Sequence, residues 1–381
     1  MNVNSVSAYD DYAYEIEPKK SGEGFFSPFT FLCFALILIL FGFLVLLSSS
    51  MDEAILSGRP FWSRMGDHVV ASLIGILLGV GYRFTPEKIT SMLHVVTLPL
   101  SWTLMALSIC FPQLSFLAVP GAVLNVFSTI FLMCWAVPFV KARERRGFPL
   151  LAIIPIAVFS LVFTAYASGL GWFLILMVLI LSISTVFNAR KGYRFFFVLA
   201  GLVILLLLLM YSPSIFSDFS YSIFPVNDPS LYSSDLLYSR MAITDGGILG
   251  TGIGKGLYKL GILTDPSGEY IFATLFEETG ILGLSLLLFS LLVIMIVGIR
   301  TQNRALRRGE YRDAALSIGL TVALVIPFFG NILHTMGLNP FGGLYLPFFS
   351  YSPISQTIYV FSSVILYCLI YKGGRYSDEE E

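Results

Sequence analysis

The chain has 381 residues, of which 56% are hydrophobic and 12% are charged, whereas about a quarter of the residues in an average soluble domain are charged. This composition excludes an ordinary soluble enzyme. It indicates an all-α, polytopic membrane protein, because long apolar helices satisfy their own backbone hydrogen bonds in lipid. The formal net charge of −1 gives no reason to expect a nucleic-acid partner.

The predicted elements divide the chain into two tails and one membrane domain. Residues 1–27 are polar and acidic, and we interpret them as a cytoplasmic N-terminal tail rather than a cleaved signal peptide. Residues 28–372 form the predicted ten-helix membrane domain, and residues 373–381 form an acidic cytoplasmic tail. Apolar segments long enough to cross a bilayer lie at 29–48, 68–83, 91–110, 120–140, 149–166, 169–188, 195–212, 275–298, 314–334 and 354–371.

The positions of lysine and arginine support this count, because these residues concentrate in short cytoplasmic loops. With the N-terminus inside, 18 of the 23 fall in cytoplasmic segments. The five on the outside are Arg59, Arg64, Arg240, Lys255 and Lys259. The alternation therefore predicts ten spans with both termini in the cytoplasm.

One long outer segment, residues 213–274, separates the seventh and eighth predicted spans. Its first half is rich in Pro and Asp and predicts an irregular loop. Its second half carries six glycines within residues 246–256. A phosphate-binding loop would need a preceding strand and a βαβ context that this chain lacks, so a packed turn is the favoured interpretation.

Three carboxylates, Glu269, Glu277 and Glu278, flank the predicted start of the eighth span. Charges at a membrane boundary are often solvated. Here aromatic and apolar residues lie between the three, which favours partial burial, a raised pKa and a general base. The residues alone leave both interpretations open.

A second polar and glycine-rich cluster follows the ninth predicted span. It contains Asn331, His334 and the Gly- and Pro-rich segment 337–353. This composition excludes a regular helix and predicts a loop packed against protein or membrane surface. We interpret His334 as a packing residue rather than a catalyst.

These two clusters resemble the SEDS family of shape, elongation, division and sporulation proteins, which includes FtsW, RodA and SpoVE. The first family motif is matched without a gap by Ser239, Met241, Ala242, Gly246, Gly250, Gly252, Gly254, Lys259, Leu260, Ile271, Phe272, Ala273, Glu277, Glu278 and Gly280. The second, G-L-x-L-P-x-x-S-Y, is matched by Gly343, Leu344, Leu346, Pro347, Ser350 and Tyr351. Where the family carries its catalytic aspartate, this chain has Glu269.

The resemblance implies a glycosyltransferase that polymerises lipid II into peptidoglycan strands at the outer face of the bacterial cytoplasmic membrane. Glu269 is then the general base. Lys259, Arg240 and Lys255 supply positive charge to the undecaprenyl pyrophosphate leaving group, with a divalent cation such as Mg²⁺ as an open alternative. The remaining implied substrate-site residues are Glu277, Glu278, Asn331, Ser350 and Tyr351.

The implied partners are undecaprenyl-linked glycan, a class B penicillin-binding protein and membrane proteins of the divisome or elongasome. Two other functions remain open from the sequence. One is a catalytically weak scaffold for a penicillin-binding protein, suggested by the changed residues at 267–269. The other is a lipid flippase or transporter, which should place ionisable residues at mid-membrane.

Overall fold

The computed structural model describes residues 27–51, 58, 60, 62–86, 89–90, 92–142, 148–168, 170–186, 234–338 and 344–378. Its helices are α1 (Pro28–Ser49), α2 (Ser63–Phe84), α3 (Leu93–Cys110), α4 (Ala118–Ala142), α5 (Phe148–Ser168), α6 (Leu170–Val186), α7 (Ser234–Gly246), α8 (Ile271–Arg307), α9 (Tyr311–Thr335) and α10 (Pro353–Asp378). A 3₁₀ helix, Pro112–Leu117, joins α3 to α4. In the described residues, all the regular secondary structure is helical, and loops and turns connect the helices.

Seven helical segments in the described residues are long and apolar enough to cross a membrane: Pro28–Ser49, Ser63–Phe84, Leu93–Cys110, Pro112–Ala136, Ile271–Arg307, Tyr311–Thr335 and Pro353–Gly373. Two shorter apolar helices cover Ile156–Ser168 and Gly171–Ile183. The predicted division of the uncharged block is confirmed, because α5 ends at Ser168 and α6 begins at Leu170. The predicted span 195–212 and the first part of the outer segment, 213–233, lie outside the described residues.

Three helices extend beyond their predicted spans by five residues or more at one end. Helix α8 is one of them, since it ends at Arg307 rather than at residue 298. Helix α2 begins at Ser63, five residues before the predicted start, because the polar residues Arg64 and Asp67 lower the hydropathy of a turn that is nevertheless helical. Helix α10 continues to Asp378 and so enters the segment 373–381 that we interpreted as a tail.

Helix α9 lies at the centre of the bundle, where it contacts α4, α6, α8 and α10. Around it, small residues allow helices to approach closely. A Cβ on Gly75 of α2 would lie 2.7 Å from the Thr357 carbonyl oxygen of α10, and one on Gly79 would lie 2.6 Å from Val364. This small-xxx-small pair gives α2 and α10 a backbone-to-backbone contact of the kind that packs helices in lipid.

Helix α8 is broken at Gly280, whose φ of 60° and ψ of −153° are not helical. The glycine-rich loop that follows α7 fills the break. The amides of Thr251 and Gly252 donate to the carbonyls of Glu277 and Glu278 at 2.8 and 3.0 Å, and Ile281 donates to Gly247 at 3.1 Å. The packed-turn interpretation is confirmed, since the loop supplies partners for backbone groups that the broken helix cannot pair.

We expect Gly250→Ala to destabilise the protein strongly. Gly250 has a φ of +75°, and a Cβ there would lie 2.2 Å from the Glu278 carbonyl oxygen. The control is Gly254→Ala, because Gly254 has a similar φ of +85° with nothing within 4 Å of its Cβ position. The control variant should lose about 1–2 kcal/mol from the αL conformation alone. Thermal unfolding in detergent should give Gly250→Ala a clearly larger decrease, and equal decreases would contradict this role of the loop.

Candidate active site

Three consecutive backbone carbonyls, those of Ser267, Gly268 and Glu269, accept hydrogen bonds from the second sequence cluster. The Tyr351 amide donates to Ser267 at 2.7 Å, and the Ser350 hydroxyl donates to Gly268 at 2.8 Å. The Asn331 side-chain amide donates to the Glu269 carbonyl at 2.8 Å and also to the Leu344 carbonyl. Ser350 and Asn331 are buried, so water competes little for these bonds.

Asp265 fixes the other side of the same turn. Its Oδ2 accepts from the Glu269 amide at 3.2 Å, and its carbonyl accepts from the amides of Gly268 and Tyr270, both at 3.2 Å. A Cβ on Gly268 would lie 1.8 Å from Asp265 Oδ2, so the Asp265 carboxylate can take this position only beside a glycine at 268. The backbone that carries Glu269 is thus held from both sides.

The Glu269 side chain extends from this turn just before α8 and is 42% exposed. Its pKa is raised above the ordinary value, first by burial and then by the negative charges of Asp265 and Asp235. Its Oε2 lies 3.9 Å from Nε2 of His334, beyond hydrogen-bond distance. His334 instead lies against the Tyr270 ring at a centroid distance of 5.4 Å. Of the three predicted carboxylates, Glu269 is therefore the accessible one, since Glu277 and Glu278 are buried, and it is a suitable proton acceptor.

Tyr351 connects the site to the start of α2. Its hydroxyl donates to Asp67 at 2.8 Å, and its ring stacks on His68 with a centroid distance of 5.7 Å. The Arg64 guanidinium lies 4.4 Å from the centre of the same ring and also donates to the Ser267 hydroxyl. Arg64 thereby brings a positive charge to the turn that carries Glu269.

Lys259 and Glu278 form a fully buried ion pair. The Lys259 ammonium donates to Oε1 of Glu278, and the Ser48 hydroxyl of α1 donates to the same oxygen at 2.5 Å. The side chains are 1% and 0% exposed. Two charges taken out of water need such partners. In this conformation Lys259 joins the outer loop to α1 and α8 inside the protein, and its predicted contact with pyrophosphate stays a prediction.

The remaining predicted residues divide by burial. Arg240 on α7 and Lys255 in the glycine-rich loop are exposed. Glu277 is 1% exposed, and its Oε1 accepts from the Leu257 amide at 2.5 Å. Glu277 and Glu278 are therefore buried carboxylates, and the interpretation that they are solvated charges at a membrane boundary is wrong for these two residues. They hold the glycine-rich loop against α8, whereas the Glu269 side chain remains partly exposed on the protein surface.

Sequence reasoning missed Arg64, Asp265 and Tyr345 as parts of this site. The Tyr345 hydroxyl donates to Asp265 Oδ2 at 3.3 Å, and its pKa is raised by burial and by Asp265 and Glu269. One signal was available for Arg64, which is among only five predicted outer cations. No local pattern in the sequence indicates that residues 64, 265 and 345 lie together.

The described residues contain no group of three or more His, Cys, Asp or Glu side chains placed to hold a metal ion. A magnesium ion can be held by one or two carboxylates together with substrate phosphates, and such an ion stays a prediction.

Comparisons with known proteins agree on one family. The family model of FtsW, RodA and SpoVE, described as cell cycle protein, matches residues 29–372. A probable peptidoglycan glycosyltransferase FtsW from Borreliella burgdorferi is 26% identical over 336 residues, which cover 84% of this chain and 90% of the relative.

Two solved structures share the fold. A chain of a peptidoglycan synthase complex that coordinates polymerization and crosslinking superposes with a TM-score of 0.61 at 17% identity, over 91% of this chain and 98% of that one. The rod shape determining protein RodA from Thermus thermophilus gives a TM-score of 0.55 at 16% identity, over 89% of this chain and 95% of RodA. At these identities the likeness shows the fold alone.

We expect Lys259→Met to lower the free energy of unfolding by about 3–5 kcal/mol, because it leaves Glu278 buried without its cation. The double variant Lys259→Met/Glu278→Leu should recover much of this loss, since both charges are then removed together. Lys255→Met is the matched control at an exposed lysine of the same loop and should change stability little. Thermal and denaturant unfolding in detergent measure these effects. A double variant no more stable than Lys259→Met would contradict a structural ion pair.

Proposed function

The chain belongs to the FtsW, RodA and SpoVE family of cell cycle proteins, and on that basis we propose that it is a peptidoglycan glycosyltransferase. It polymerises lipid II into glycan strands at the outer face of the bacterial cytoplasmic membrane, and it is a multi-pass protein with both termini in the cytoplasm. The observation that carries the proposal is Glu269. This carboxylate stands at the family's aspartate position, is half-buried with a raised pKa, and lies on a turn held by the second family motif.

Glu269 accepts the proton of the acceptor sugar's 4-hydroxyl. As that proton leaves, the oxygen attacks C1 of the lipid-linked end of the growing strand, and the bond from C1 to undecaprenyl pyrophosphate breaks with inversion. A carboxylate with a raised pKa is a stronger base than an ordinary glutamate. Burial together with the charges of Asp265 and Asp235 therefore tunes Glu269 for this step.

The pyrophosphate leaving group requires positive charge. Because Lys259 is buried in its pair with Glu278, we assign this task first to residues that reach the surface. Arg240 and Lys255 are exposed. Arg64 is partly exposed and reaches Ser267, two residues from Glu269, which makes it the cation most directly connected to the turn that carries the base.

We propose a class B penicillin-binding protein as the partner, together with membrane proteins of the divisome or elongasome. Support comes from the fold shared with a chain of a peptidoglycan synthase complex that couples polymerization to crosslinking. A transpeptidase beside the outer face would receive each new strand where it forms.

Removal of the base should abolish polymer formation. In proteoliposomes with lipid II and a cognate class B penicillin-binding protein, Glu269→Gln should lower the polymerisation rate by at least about 100-fold. Glu269→Asp should retain measurable activity, because it restores the family residue on the same turn. Glu380→Gln in the C-terminal acidic segment is the matched control and should leave the rate unchanged.

The same assay separates the alternatives. Activity that survives Glu269→Gln would overturn the assignment of the base. A folded protein that forms no polymer with any partner would favour the scaffold, and transfer of lipid II across the bilayer without polymer would favour the flippase.

The polymerisation rate should fall on acidification through a pKa above the ordinary glutamate value of about 4.3. The sign follows from the chemistry, since the base must be deprotonated and Glu269 has a raised pKa. Asp265→Asn removes one of the charges that raise it, so the acidic limb of the rate profile should move to lower pH. Asp245→Asn, at an exposed carboxylate bound to Tyr258, is the control and should leave the limb in place. Identical profiles for Asp265→Asn and the unaltered protein would contradict this tuning.

A further inference from the structure

The glycine-rich loop exposes large apolar side chains beside the part of α8 that crosses the bilayer. Ile248 and Leu249 are 67% and 73% exposed. The Ile281 amide of α8 donates to the Gly247 carbonyl at 3.1 Å, and the Leu282 amide donates to the Ile248 carbonyl at 3.4 Å. Ile281 and Leu282 are themselves exposed. The exposed apolar residues of the loop therefore begin where the exposed apolar face of α8 ends.

Beyond the break at Gly280, α8 has the properties of a helix that faces lipid. Phe289 and Leu292 continue its exposed apolar face, and residues 281–299 include no charged residue. Ser285 is also exposed, but its hydroxyl donates to the Leu282 carbonyl at 2.8 Å. This polar group is satisfied within the helix, so the whole face is suited to contact with lipid tails.

The length of this face places the glycine-rich loop at the edge of the hydrocarbon core. The face runs for 19 residues, counted from Ile281 to Ile299, and Arg300 ends it. At 1.5 Å per residue it is about 28 Å long, close to the hydrocarbon thickness of about 30 Å. With Arg300 at one boundary, Ile281 lies at the other, in the leaflet on the Glu269 side. A tilt of α8 would place the loop deeper.

We propose that Ile248 and Leu249 insert into this leaflet, so that the glycine-rich loop anchors the protein in the membrane surface beside the candidate active site. Irregular backbone is tolerated at this depth only where its polar groups have protein partners. The loop meets this condition, since the Thr251 and Gly252 amides donate to carbonyls of α8.

Continuity with the lipid-facing part of α8 selects lipid as the occupant. Backbone hydrogen bonds hold Ile248 at the level of Leu282, and the bilayer already covers that level. A protein partner would have to displace lipid in order to reach these two side chains. The proposal depends on the membrane-spanning helices and not on the glycosyltransferase activity.

The anchor sets the distance of Glu269 from the bilayer. The piece of α8 from Ile271 to Thr279 has nine residues, which measure about 14 Å along a helix. This piece is bound to the loop through Glu277, whose Oε1 accepts from the Leu257 amide. Glu269 directly precedes the piece, so a loop fixed in the leaflet also fixes the height of the carboxylate.

Spin labels on the full chain in liposomes test the proposal. The four native cysteines are first replaced by alanine, and a nitroxide is then attached to Ile248→Cys or Leu249→Cys. Electron paramagnetic resonance compares the access of oxygen, which concentrates in lipid, with that of a water-soluble nickel chelate. Phe289→Cys on the exposed face of α8 is the reference for lipid contact.

The matched control is Thr264→Cys, at an exposed residue of the same outer segment that is bonded to Asp235 near the active-site turn. The ratio of oxygen access to nickel access should be at least about threefold higher at Ile248 and Leu249 than at Thr264. Thermal unfolding verifies that each labelled variant is folded. If Ile248→Cys unfolds, Leu249→Cys alone decides, because Leu249 is the more exposed of the two.

Two results would overturn the proposal. An equal ratio at Leu249 and Thr264 would show that the loop faces water, as a docking surface for a soluble domain does. Low access of both oxygen and nickel at Leu249 would show that protein covers the loop, either a second copy or another segment of this chain.

Discussion

The hydrogen bonds to the carbonyls of Ser267, Gly268 and Glu269 are the constraint on which the proposed chemistry depends. Each carbonyl has a donor that is distant in sequence, supplied by α9 or by the loop before α10. A turn held at three successive residues has little freedom to rotate, so the Glu269 backbone is fixed while its side chain stays accessible. A base in a proton transfer benefits from this arrangement, because a displacement of about 1 Å can cost on the order of a hundredfold in rate.

The break in α8 fixes the position of the glycine-rich loop. At Gly280 the helix loses its regular hydrogen bonds, and the glycine-rich loop replaces them with its own amides. Glu277 and Glu278, in the short helical piece above the break, then bind the loop through the Leu257 amide and Lys259. Gly246 and Gly250 of the first family motif are thus explained by backbone packing against α8, since a Cβ on each would lie 2.2 Å from the carbonyl oxygens of Phe276 and Glu278, respectively.

Hydropathy and charge predicted the spans of the described helices well, because bilayer thickness imposes a length that any apolar run must meet. The contacts of individual side chains could not be predicted from the sequence. Nothing near Lys259 in the sequence shows that its partner is Glu278 and that Ser48 of α1 completes the pair, since burial of a lysine depends on helices brought together by the whole fold. Arg64 and Tyr345 were missed for the same reason.

The exchange of aspartate for glutamate at position 269 is compatible with this geometry. A glutamate carboxylate lies one methylene further from its backbone, so at a fixed turn it reaches about 1.5 Å deeper into the space above the site. The side chain has room for this, since 42% of its surface is exposed and no side-chain hydrogen bond holds it in the described residues. The changed neighbours are compatible too. Ser267 accepts from Arg64, and Gly268 allows the close approach of Asp265. The three positions at which this chain differs from the family, 267–269, therefore form one consistent turn that carries the longer carboxylate.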